Sequence, residues 1–551
     1  MQTFKLKKMK LNIVKLRNLA VASVFLFSVT SCLNDLDVAV NDDELYTSEQ
    51  FYSQPESYKQ FLAKIYAGLA VTGQTSPNGN SDLGLESDGG PNEGFSQYIR
   101  GYWQLQELTT DEAIIAWGES DNPGIRDLNF NTWNADNKFN EAFFARIFFQ
   151  IGLVNEFLRE TTDEKLSSRG VSEDLKAQIK TFRAEARFLR ALSYYHAIDI
   201  YGRIPFATEG DVIGSGVKPS VQSREYVFNY LLGELNGIDG DLAAAKTNEY
   251  GRADKAAAWM LKAKLYQNSK VYTGVDRSTE ALAEITKVIA SPYKVATIPY
   301  ANLFKAYNNI NGAQDEAIFP INFDGIKTKT YGGTTFLIHA SCTNAVGALL
   351  GVDAGWAGFR TRQEFIQSTG TDARVMKVAG STDPASISDY AKFEEGTKFI
   401  KFSNKKTSGA NGSDGTFADA DFALFRMGDA YLMYAELAIV NGKGSTATAL
   451  GYINALRTRG GATNISMSDI NALTSTEAKE MFILNERAKE LYWEGTRRQD
   501  LIRLNHYVSG YTWQWKGGIQ NGSSIAPTRV LFPIPNKYLN INSNLTQNPG
   551  Y

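Results

Sequence analysis

Cysteine and histidine are scarce in this chain, whose 551 residues include two cysteines and three histidines. Neither an HExxH nor a CxxC pattern occurs, and no oxygen-rich loop has the spacing of an EF-hand, so the sequence contains no local metal motif. Charge of one sign is not in excess either, because the formal net charge is −3. This balance argues against broad binding of nucleic acid. We therefore expect no cofactor, no metal ion and no nucleic-acid partner.

A hydrophobic run long enough to span a bilayer is also missing near the N-terminus. The apolar stretch Leu19–Val29 (LAVASVFLFSV) is too short, and it follows a lysine-rich start. The next residues complete the motif Val-Thr-Ser-Cys, which resembles a bacterial lipobox ending at Cys32. This pattern predicts a signal peptide over residues 1–31, lipidation of Cys32 and a polar tether over residues 32–44. The alternative is an ordinary secretory signal followed by an incidental cysteine.

Cys342 is the only other cysteine, and a lipidated Cys32 could not pair with it. A nucleophilic cysteine needs a basic partner, and His339 lies three residues away. The simpler interpretation, which we adopt, is a small buried side chain in a loop.

Helical patterns are plentiful, and the clearest covers Thr181–Phe206. Its apolar residues recur at spacings of three and four on two sides, so we expect a helix buried between neighbours. Its arginines at positions 183, 187 and 190 are expected to form a charged edge that faces solvent or makes ion pairs. Gly202 and Pro205 predict where this helix ends. Asn140–Glu160 has a similar pattern and is expected to form a hairpin with it.

Two further hairpins are predicted later in the chain, by Asp254–Tyr272 with Ser278–Ala290 and by Phe425–Val440 with Ser445–Arg459. Both are rich in alanine and resemble degenerate tetratricopeptide units, although a chance match is the alternative. Residues of about 300–424 are rich in glycine and irregular, which predicts a loop-rich insertion. The fold class is therefore mostly α, with tetratricopeptide-like hairpins and an inserted irregular part.

The last long helix is predicted over Ser475–Asn505. Glu494 is spaced to pair with arginines at positions 497 and 498, and Asp500 is spaced to pair with Arg503.

Three segments carry a resemblance to a known family. They are FRAEARFLRALSYYHAIDIYGRIPF (182–206), ERAKELYWEGTRRQDLIRLNHY (486–507) and LFPIPNKYLNINSNLTQNPGY (531–551). Together they resemble the SusD/RagB family over essentially the whole mature chain. The resemblance implies a lipoprotein on the outer-membrane surface that binds a glycan and covers a TonB-dependent, SusC-like barrel. It assigns residues 45–551 to one SusD-like glycan-binding domain.

The stretches ELTTDEAIIAW, GRADKAAAWMLKAKLY, DGIKTKTYGGTTFL and TWQWKGGIQNGSS are similar to a starch-binding member of that family. The resemblance implies that Trp117, Tyr331 and Trp356 form an arc that holds a curved α-glucan, and that Arg100 contacts the sugar hydroxyls. Ser120 stands where the starch-binding member has an asparagine. Aromatic rings suit this role because they stack on the C–H face of a pyranose. Four other tryptophans are expected to be structural, namely Trp103, Trp133, Trp513 and Trp515.

Two other function classes remain open from the residues alone. A glycoside hydrolase needs two carboxylates that face one bond, and Asp111 with Glu112 or Asp419 with Asp421 are the candidates. Neighbours in sequence rarely face each other across a substrate, so we expect these carboxylates to be solvated and the protein not to be an enzyme. A helical scaffold for protein partners would explain the hairpins but not the aromatic, glycine-rich insertion.

Overall fold

The structure is a computed structural model that describes residues 47–75, 77, 81–84, 94–120, 122–211, 216–378 and 385–551. The predicted signal peptide, Cys32 and the tether lie outside the described residues. By its internal contacts the chain divides into two units, residues 1–57 and residues 58–551. In the first unit, the helix that begins at Ser48 has a capping box between Thr47 and Gln50.

Helices dominate the described residues. In chain order they are α1 (Ser48–Tyr52), α2 (Ser57–Ala70), α3 (Tyr98–Glu107), α4 (Ile125–Phe130), α5 (Lys138–Glu160), α6 (Asp163–Ser168), α7 (Glu173–Tyr201), α8 (Arg224–Gly237), α9 (Lys255–Gln267), α10 (Ser269–Thr273), α11 (Ser278–Ile289), α12 (Gly333–His339), α13 (Asn344–Leu350), α14 (Gln363–Thr369), α15 (Met427–Ile439), α16 (Thr446–Arg459), α17 (Met467–Asn471), α18 (Thr476–Leu491), α19 (Arg497–Arg503) and α20 (Asn536–Ile541). The prediction of a mostly α fold is confirmed.

The strands of the described chain are short, and each pairs antiparallel with one partner. They are β1 (Ile114–Ile115) with β5 (Phe359–Arg360), β2 (Ile204–Phe206) with β3 (Ser220–Gln222), and β4 (Ala317–Ile321) with β6 (Phe422–Arg426). The β4–β6 pair closes the loop-rich insertion, because its two strands stand at the beginning and the end of that segment.

All three predicted helical hairpins are present, as the pairs α5–α7, α9–α11 and α15–α16. The second and third stack on each other, since α11 packs against α15. Helix α7 begins at Glu173, earlier than the predicted Thr181, and ends at Tyr201. The next residue, Gly202, has a φ of 72°, in the region that favours glycine, so the predicted helix stop is present.

The charged edge of α7 forms ion pairs, which is one of the two roles predicted for it. Arg190 is only 1% exposed and forms ion pairs with Glu209 and Glu234. Arg187 pairs with the same Glu234 at 2.7 Å. These ion pairs link α7 to α8, because Glu234 lies on that helix.

The predicted helix over Ser475–Asn505 is interrupted. Helix α18 ends at Leu491 and α19 begins at Arg497, and between them Trp493 and Gly495 have φ values of 60° and 79°. Glu494, in this turn, bonds to Arg426 and Lys401 rather than to the neighbouring arginines. The predicted pair of Asp500 with Arg503 is present at 2.8 Å.

A buried ionic network surrounds Arg426, which stands at the junction of β6 and α15. Its guanidinium bonds to Glu316 at 2.8 Å, to Glu490 at 2.7 Å and to Glu494 at 2.6 Å. All four side chains are at most 6% exposed. Further cations complete the network, namely Arg374 and Lys401 from the insertion and Arg459 from α16. The network thus joins the insertion to the helical array through charges that have little access to water.

Candidate functional site

The β1–β5 ladder brings two of the predicted tryptophans together. Ile115 pairs with Phe359, and Trp117 follows β1 just as Trp356 precedes β5, so both leave the same end of the ladder. The ring centroids of the two tryptophans are 6.3 Å apart, and their planes are inclined by 47°. The Nε1–H of Trp117 donates to the carbonyl oxygen of Trp356 at 3.1 Å, which fixes the first ring relative to the second chain segment.

Tyr331 joins them from the turn before α12. Its ring centroid lies 6.1 Å from that of Trp356, with a plane inclined by 50°. Gly333 allows this turn, because its φ is 51° and a Cβ there would stand 2.1 Å from the ring of Phe323. The structure therefore places Trp117, Trp356 and Tyr331 in one row with Trp356 in the middle, and we call this set the aromatic row.

Each ring of the aromatic row rests on another ring. Phe336 packs edge-on against Trp117, His339 stacks on Trp356 with centroids 4.6 Å apart, and Phe417 contacts Tyr331 at 5.2 Å. The supporting rings are buried, whereas the three rings of the row are half-buried. One part of each row ring is thus held by protein and another part is left accessible. Sequence reasoning missed these supports, although Phe336 and His339 stand at helical spacing directly after Tyr331.

Arg100 lies behind the aromatic row and not at its accessible side, contrary to the prediction of direct contact with sugar hydroxyls. The residue is 3% exposed, and its guanidinium stacks on the rings of Phe95 at 4.3 Å and Phe336 at 4.1 Å. Its Nη1 donates to the carbonyl oxygen of Tyr331 at 3.0 Å. Arg100 therefore positions Tyr331 through the backbone, because α3 buries the side chain among rings.

Ser120 is exposed in the turn after Trp117. It lies three residues after Trp117, on the segment that follows β1. A serine side chain is shorter than an asparagine side chain and has no amide, so its hydroxyl is the group that this position can offer to a ligand.

The carboxylates considered for hydrolysis are buried rather than solvated, which corrects the prediction about their surroundings. Asp111 forms an ion pair with Arg497 at 2.8 Å, and neither side chain is more than 1% exposed. Asp419 accepts the backbone N–H of Gly325, and Asp421 accepts that of Phe323. These side chains anchor backbone segments, since the interior must supply partners for charged groups.

Cys342 is buried, as predicted, and its carbonyl oxygen accepts the N–H of Ala357 next to the aromatic row. Burial raises the pKa of its thiol to about 12, so the thiolate needed for nucleophilic attack does not form near neutral pH. His339 is occupied as well, because its Nε2 bonds to the carbonyl oxygen of Thr416 and its ring supports Trp356.

Two buried glutamates connect the segment that leads into β1 to the turn between α18 and α19. Glu107 accepts the N–H groups of Gly495 and Thr496, and Glu112 accepts that of Trp493. Burial raises the pKa of Glu107 to about 7, and burial together with Glu107 raises the pKa of Glu112 as well. The pair therefore takes up a proton more readily than exposed glutamates do, and its oxygens accept N–H groups of the turn that interrupts the last helix.

Glu107→Gln is expected to flatten the dependence of stability on pH. In the native protein the raised pKa of Glu107 favours folding below the unfolded pKa of about 4.5, and this contribution disappears as pH rises through about 7. Glutamine keeps an oxygen for the two N–H groups and never ionises. The free energy of unfolding of the variant should therefore exceed that of the native protein by about 2 kcal/mol at pH 8 and by less at pH 5.5.

Urea unfolding at the two pH values measures this difference. Asp111→Asn is the matched control, because the ion pair with Arg497 outweighs burial and holds the pKa of Asp111 below its usual value. That control should lose stability at pH 8. Parallel pH curves for native protein and Glu107→Gln would contradict the role of the glutamate pair.

Neither a metal centre nor a membrane span is found among the residues that the structure describes. No group of three or more metal-ligating side chains converges within them. None of their helices is long and apolar enough to cross a membrane.

Comparison with known proteins places the chain in a family. The family model described as the SusD family matches residues 360–551. The starch-binding protein SusD of Bacteroides thetaiotaomicron is 33% identical to this chain, and the alignment covers 98% of this chain and 99% of that protein. The chain belongs to the SusD family. SusD-like protein P2 of Formosa agariphila is a more distant relative, 25% identical over 77% of this chain and 83% of its own length.

Solved structures of SusD-like proteins share the fold. A SusD superfamily protein from Parabacteroides distasonis has a TM-score of 0.67 and 20% identity, covering 92% of this chain and all of the other. Surface glycan-binding protein A from Bacteroides thetaiotaomicron, in complex with laminarihexaose, has a TM-score of 0.65 and 18% identity, covering 90% and 99% of the two chains. SusD family proteins are surface-exposed outer-membrane lipoproteins that bind carbohydrate, do not catalyse its cleavage and work with SusC-type transporters. The chain is accordingly a glycan-binding protein and not an enzyme.

Proposed function

We propose that this SusD family member captures starch-type α-1,4-glucan and maltooligosaccharides through Trp117, Tyr331 and Trp356. The observation that carries the proposal is the aromatic row itself, three half-buried rings with centroids about 6 Å apart and planes inclined by 47° and 50°. The identity of 33% to a protein named for starch binding supports the same ligand class.

The inclination of the rings favours a curved ligand. A pyranose places C–H groups on its faces and hydroxyls at its edge, so an aromatic ring stacks on the face and buries apolar area. Consecutive rings that change direction can each meet a face of a chain that bends, as α-1,4-linked glucose does. A chain already bent in solution loses little conformational freedom on binding, whereas a flat chain meets fewer rings.

Arg100 and Ser120 have different parts in this proposal. Arg100 holds the backbone of Tyr331 from behind, so it sets the position of one end of the row. Ser120 offers a hydroxyl at the exposed end near Trp117. With serine here, the site forms fewer hydrogen bonds to the sugar edge than an amide would allow, and stacking carries a larger share of the affinity.

The N-terminal region supplies the cellular address in this proposal. Residues 1–31 direct export, acyl chains on Cys32 anchor the protein, and residues 32–44 connect the anchor to the SusD-like domain of residues 45–551, which includes the insertion of about 300–424. The protein then faces the cell exterior at the outer membrane and delivers oligosaccharides to a SusC-like TonB-dependent barrel, as SusD proteins generally work with such transporters.

A different glycan is the second candidate ligand, and Ser120 is the observation that favours it. We expect calorimetry to show that maltoheptaose binds at least tenfold more tightly than laminarihexaose. The sugar faces of a β-1,3-linked chain are oriented differently along the chain, so fewer of them can stack on the three inclined rings. Tighter binding of laminarihexaose would reject starch and retain glycan binding. The absence of heat with any oligosaccharide would instead favour a helical scaffold for protein partners.

A further inference from the structure

A second group of aromatic side chains lies outside the aromatic row, and we call it the aromatic cluster. It consists of Phe130 from the end of α4, Tyr390 from the insertion and Trp515 from the C-terminal region. Phe130 and Trp515 stack with centroids 5.3 Å apart and planes at 14°. Tyr390 stands edge-on to both, 5.1 Å from Phe130 and 6.1 Å from Trp515. Three segments that are far apart in the sequence thus contribute one ring each to this cluster.

The cluster is accessible in a way that the packing tryptophans are not. Trp103, Trp133 and Trp513 have relative exposures of 0%, which confirms that they are structural. Phe130, Tyr390 and Trp515 are all half-buried, as are the rings of the aromatic row. Trp515, which was predicted to be structural with those three, is thus more exposed than they are.

Trp515 reaches this position through an uncommon backbone conformation. Its φ is 68°, a left-handed value that costs free energy for a residue with a bulky side chain. The indole is held in place all the same, because its Nε1–H donates to the carbonyl oxygen of Ile387 at 3.1 Å. The backbone of Tyr390 is fixed by Arg360, whose Nη2 donates to its carbonyl oxygen at 2.6 Å. Such a constrained and partly open set of rings indicates a binding role more than a packing role.

The same β1–β5 ladder holds the cluster and the aromatic row. Arg360, which binds Tyr390, is the residue of β5 that pairs with Ile114 at the end of the ladder opposite Trp117. Asn129, next to Phe130, donates its side-chain amide to the carbonyl oxygen of Ile115 and accepts the N–H of the same residue. The β1–β5 ladder therefore supports both sets of rings, the aromatic row at one end and the cluster through Arg360 and Asn129.

The size of the cluster decides which ligand it suits. A stable protein partner buries about 800 Å² on each side, far more than three half-buried rings present. One or two sugar rings stacked on an indole or a phenyl face match this area, and the serine hydroxyl of Ser386 lies beside the cluster, bonded to Gln514 at 2.9 Å.

Resting on the proposed glucan binding, we propose that Phe130, Tyr390 and Trp515 form a second sugar platform that engages a more distant part of the polysaccharide held by the aromatic row. Two linked contacts raise the affinity for a long chain because the second contact forms within the first complex. A short oligosaccharide fills the aromatic row alone and gains nothing from the cluster.

The test compares a polymer with a short sugar. Trp515→Asn, in which asparagine tolerates the left-handed backbone, and Tyr390→Ala should each weaken retention in an amylopectin affinity gel by about three- to tenfold. Calorimetric binding of maltotriose should stay within about twofold of the native protein, since the aromatic row is intact. Tyr226 is an exposed tyrosine on α8, and Tyr226→Ala is the matched control. It should change neither the retention in the amylopectin gel nor the binding of maltotriose.

Unchanged retention of both folded variants in the amylopectin gel would overturn the inference, and so would an equal loss for amylopectin and maltotriose, because the cluster would then only support the row. Thermal unfolding shows whether each variant is folded. If Trp515→Asn does not fold, the result for Tyr390→Ala decides the test. Native protein that binds neither sugar would reject the proposed glucan binding itself.

Discussion

Replacing Trp117 and Tyr331 together by alanine is expected to weaken binding to soluble starch by about 30- to 100-fold. Each ring contributes about 1 to 1.5 kcal/mol by stacking on a sugar face, and the two are the outer members of the aromatic row. Their loss leaves Trp356 alone, so the row no longer favours a bent chain over a flat one. Among single-site or paired changes in this protein, we expect this one to have the largest effect on sugar binding.

The same variant should remain folded. Both rings are half-buried, and their supports Phe336 and Phe417 keep other partners, Phe359 among them. We therefore expect the thermal midpoint to fall by about 1 to 2 °C, which corresponds to about 1 to 2 kcal/mol for a chain of this length.

An affinity gel containing amylopectin and calorimetry with maltoheptaose measure the loss. The matched control is Trp259→Ala with Tyr226→Ala, a tryptophan and a tyrosine at incompletely buried positions of the helical array. The control should bind as the native protein does. Undiminished retention of Trp117→Ala with Tyr331→Ala would reject the aromatic row as the binding site.

Arg426→Met is expected to cost about 3 to 5 kcal/mol of folding stability, a large part of the total for a typical protein. The change removes the one cation that Glu316, Glu490 and Glu494 share, while these carboxylates stay buried with fewer positive charges around them. Burial alone would raise the pKa of Glu490, yet Arg459, Arg426 and Arg374 lower it to about 2 in the native protein. Without Arg426 the balance shifts towards uncompensated negative charge in the interior.

This destabilisation should ease as pH falls. Carboxylates that have lost their main cation can take up protons, and a neutral side chain costs less to bury. We expect the difference in unfolding free energy between Arg426→Met and the native protein to be smaller at pH 5 than at pH 8. The native contribution of Glu490 has the opposite direction, since its lowered pKa stabilises the fold above about 4.5 and is lost as pH falls towards about 2.

Denaturant unfolding at both pH values measures the effect, and Lys59→Met is the control. Lys59 pairs with Glu249 at 2.8 Å, but both side chains are more than half exposed, so its loss should change stability by at most about 1 kcal/mol. A cost for Arg426→Met as small as that of the control would show that the network tolerates the loss of its central cation.

Several elements could be predicted because local sequence decides them. The apolar spacing of α5, α7, α9, α11, α15 and α16 identified all three hairpins, and Gly202 marked the end of α7. Periodicity and helix stops depend on residues within a few turns of each other, so they can be read along the chain. The positions of Trp117, Tyr331 and Trp356 came from motif resemblance rather than from any local rule.

Other features depend on residues far apart in the chain. In the break between Leu491 and Arg497, Glu494 bonds to Arg426 and Lys401, partners that no spacing within the helix reveals. Arg100 lies behind the aromatic row because Phe95 and Phe336 enclose it. The sequence alone does not indicate which charged side chains are buried, because their burial depends on the tertiary packing.

The helical array, the family resemblance and the residue types suited to stacking on a sugar can all be read from the amino-acid sequence. The arrangement of the three rings in a row with Trp356 in the middle, the bond of Arg100 to the backbone of Tyr331 and the partial burial of Trp515 emerge only from packing. A helix is specified by neighbours in sequence, whereas the exposure and orientation of a side chain depend on everything that packs around it.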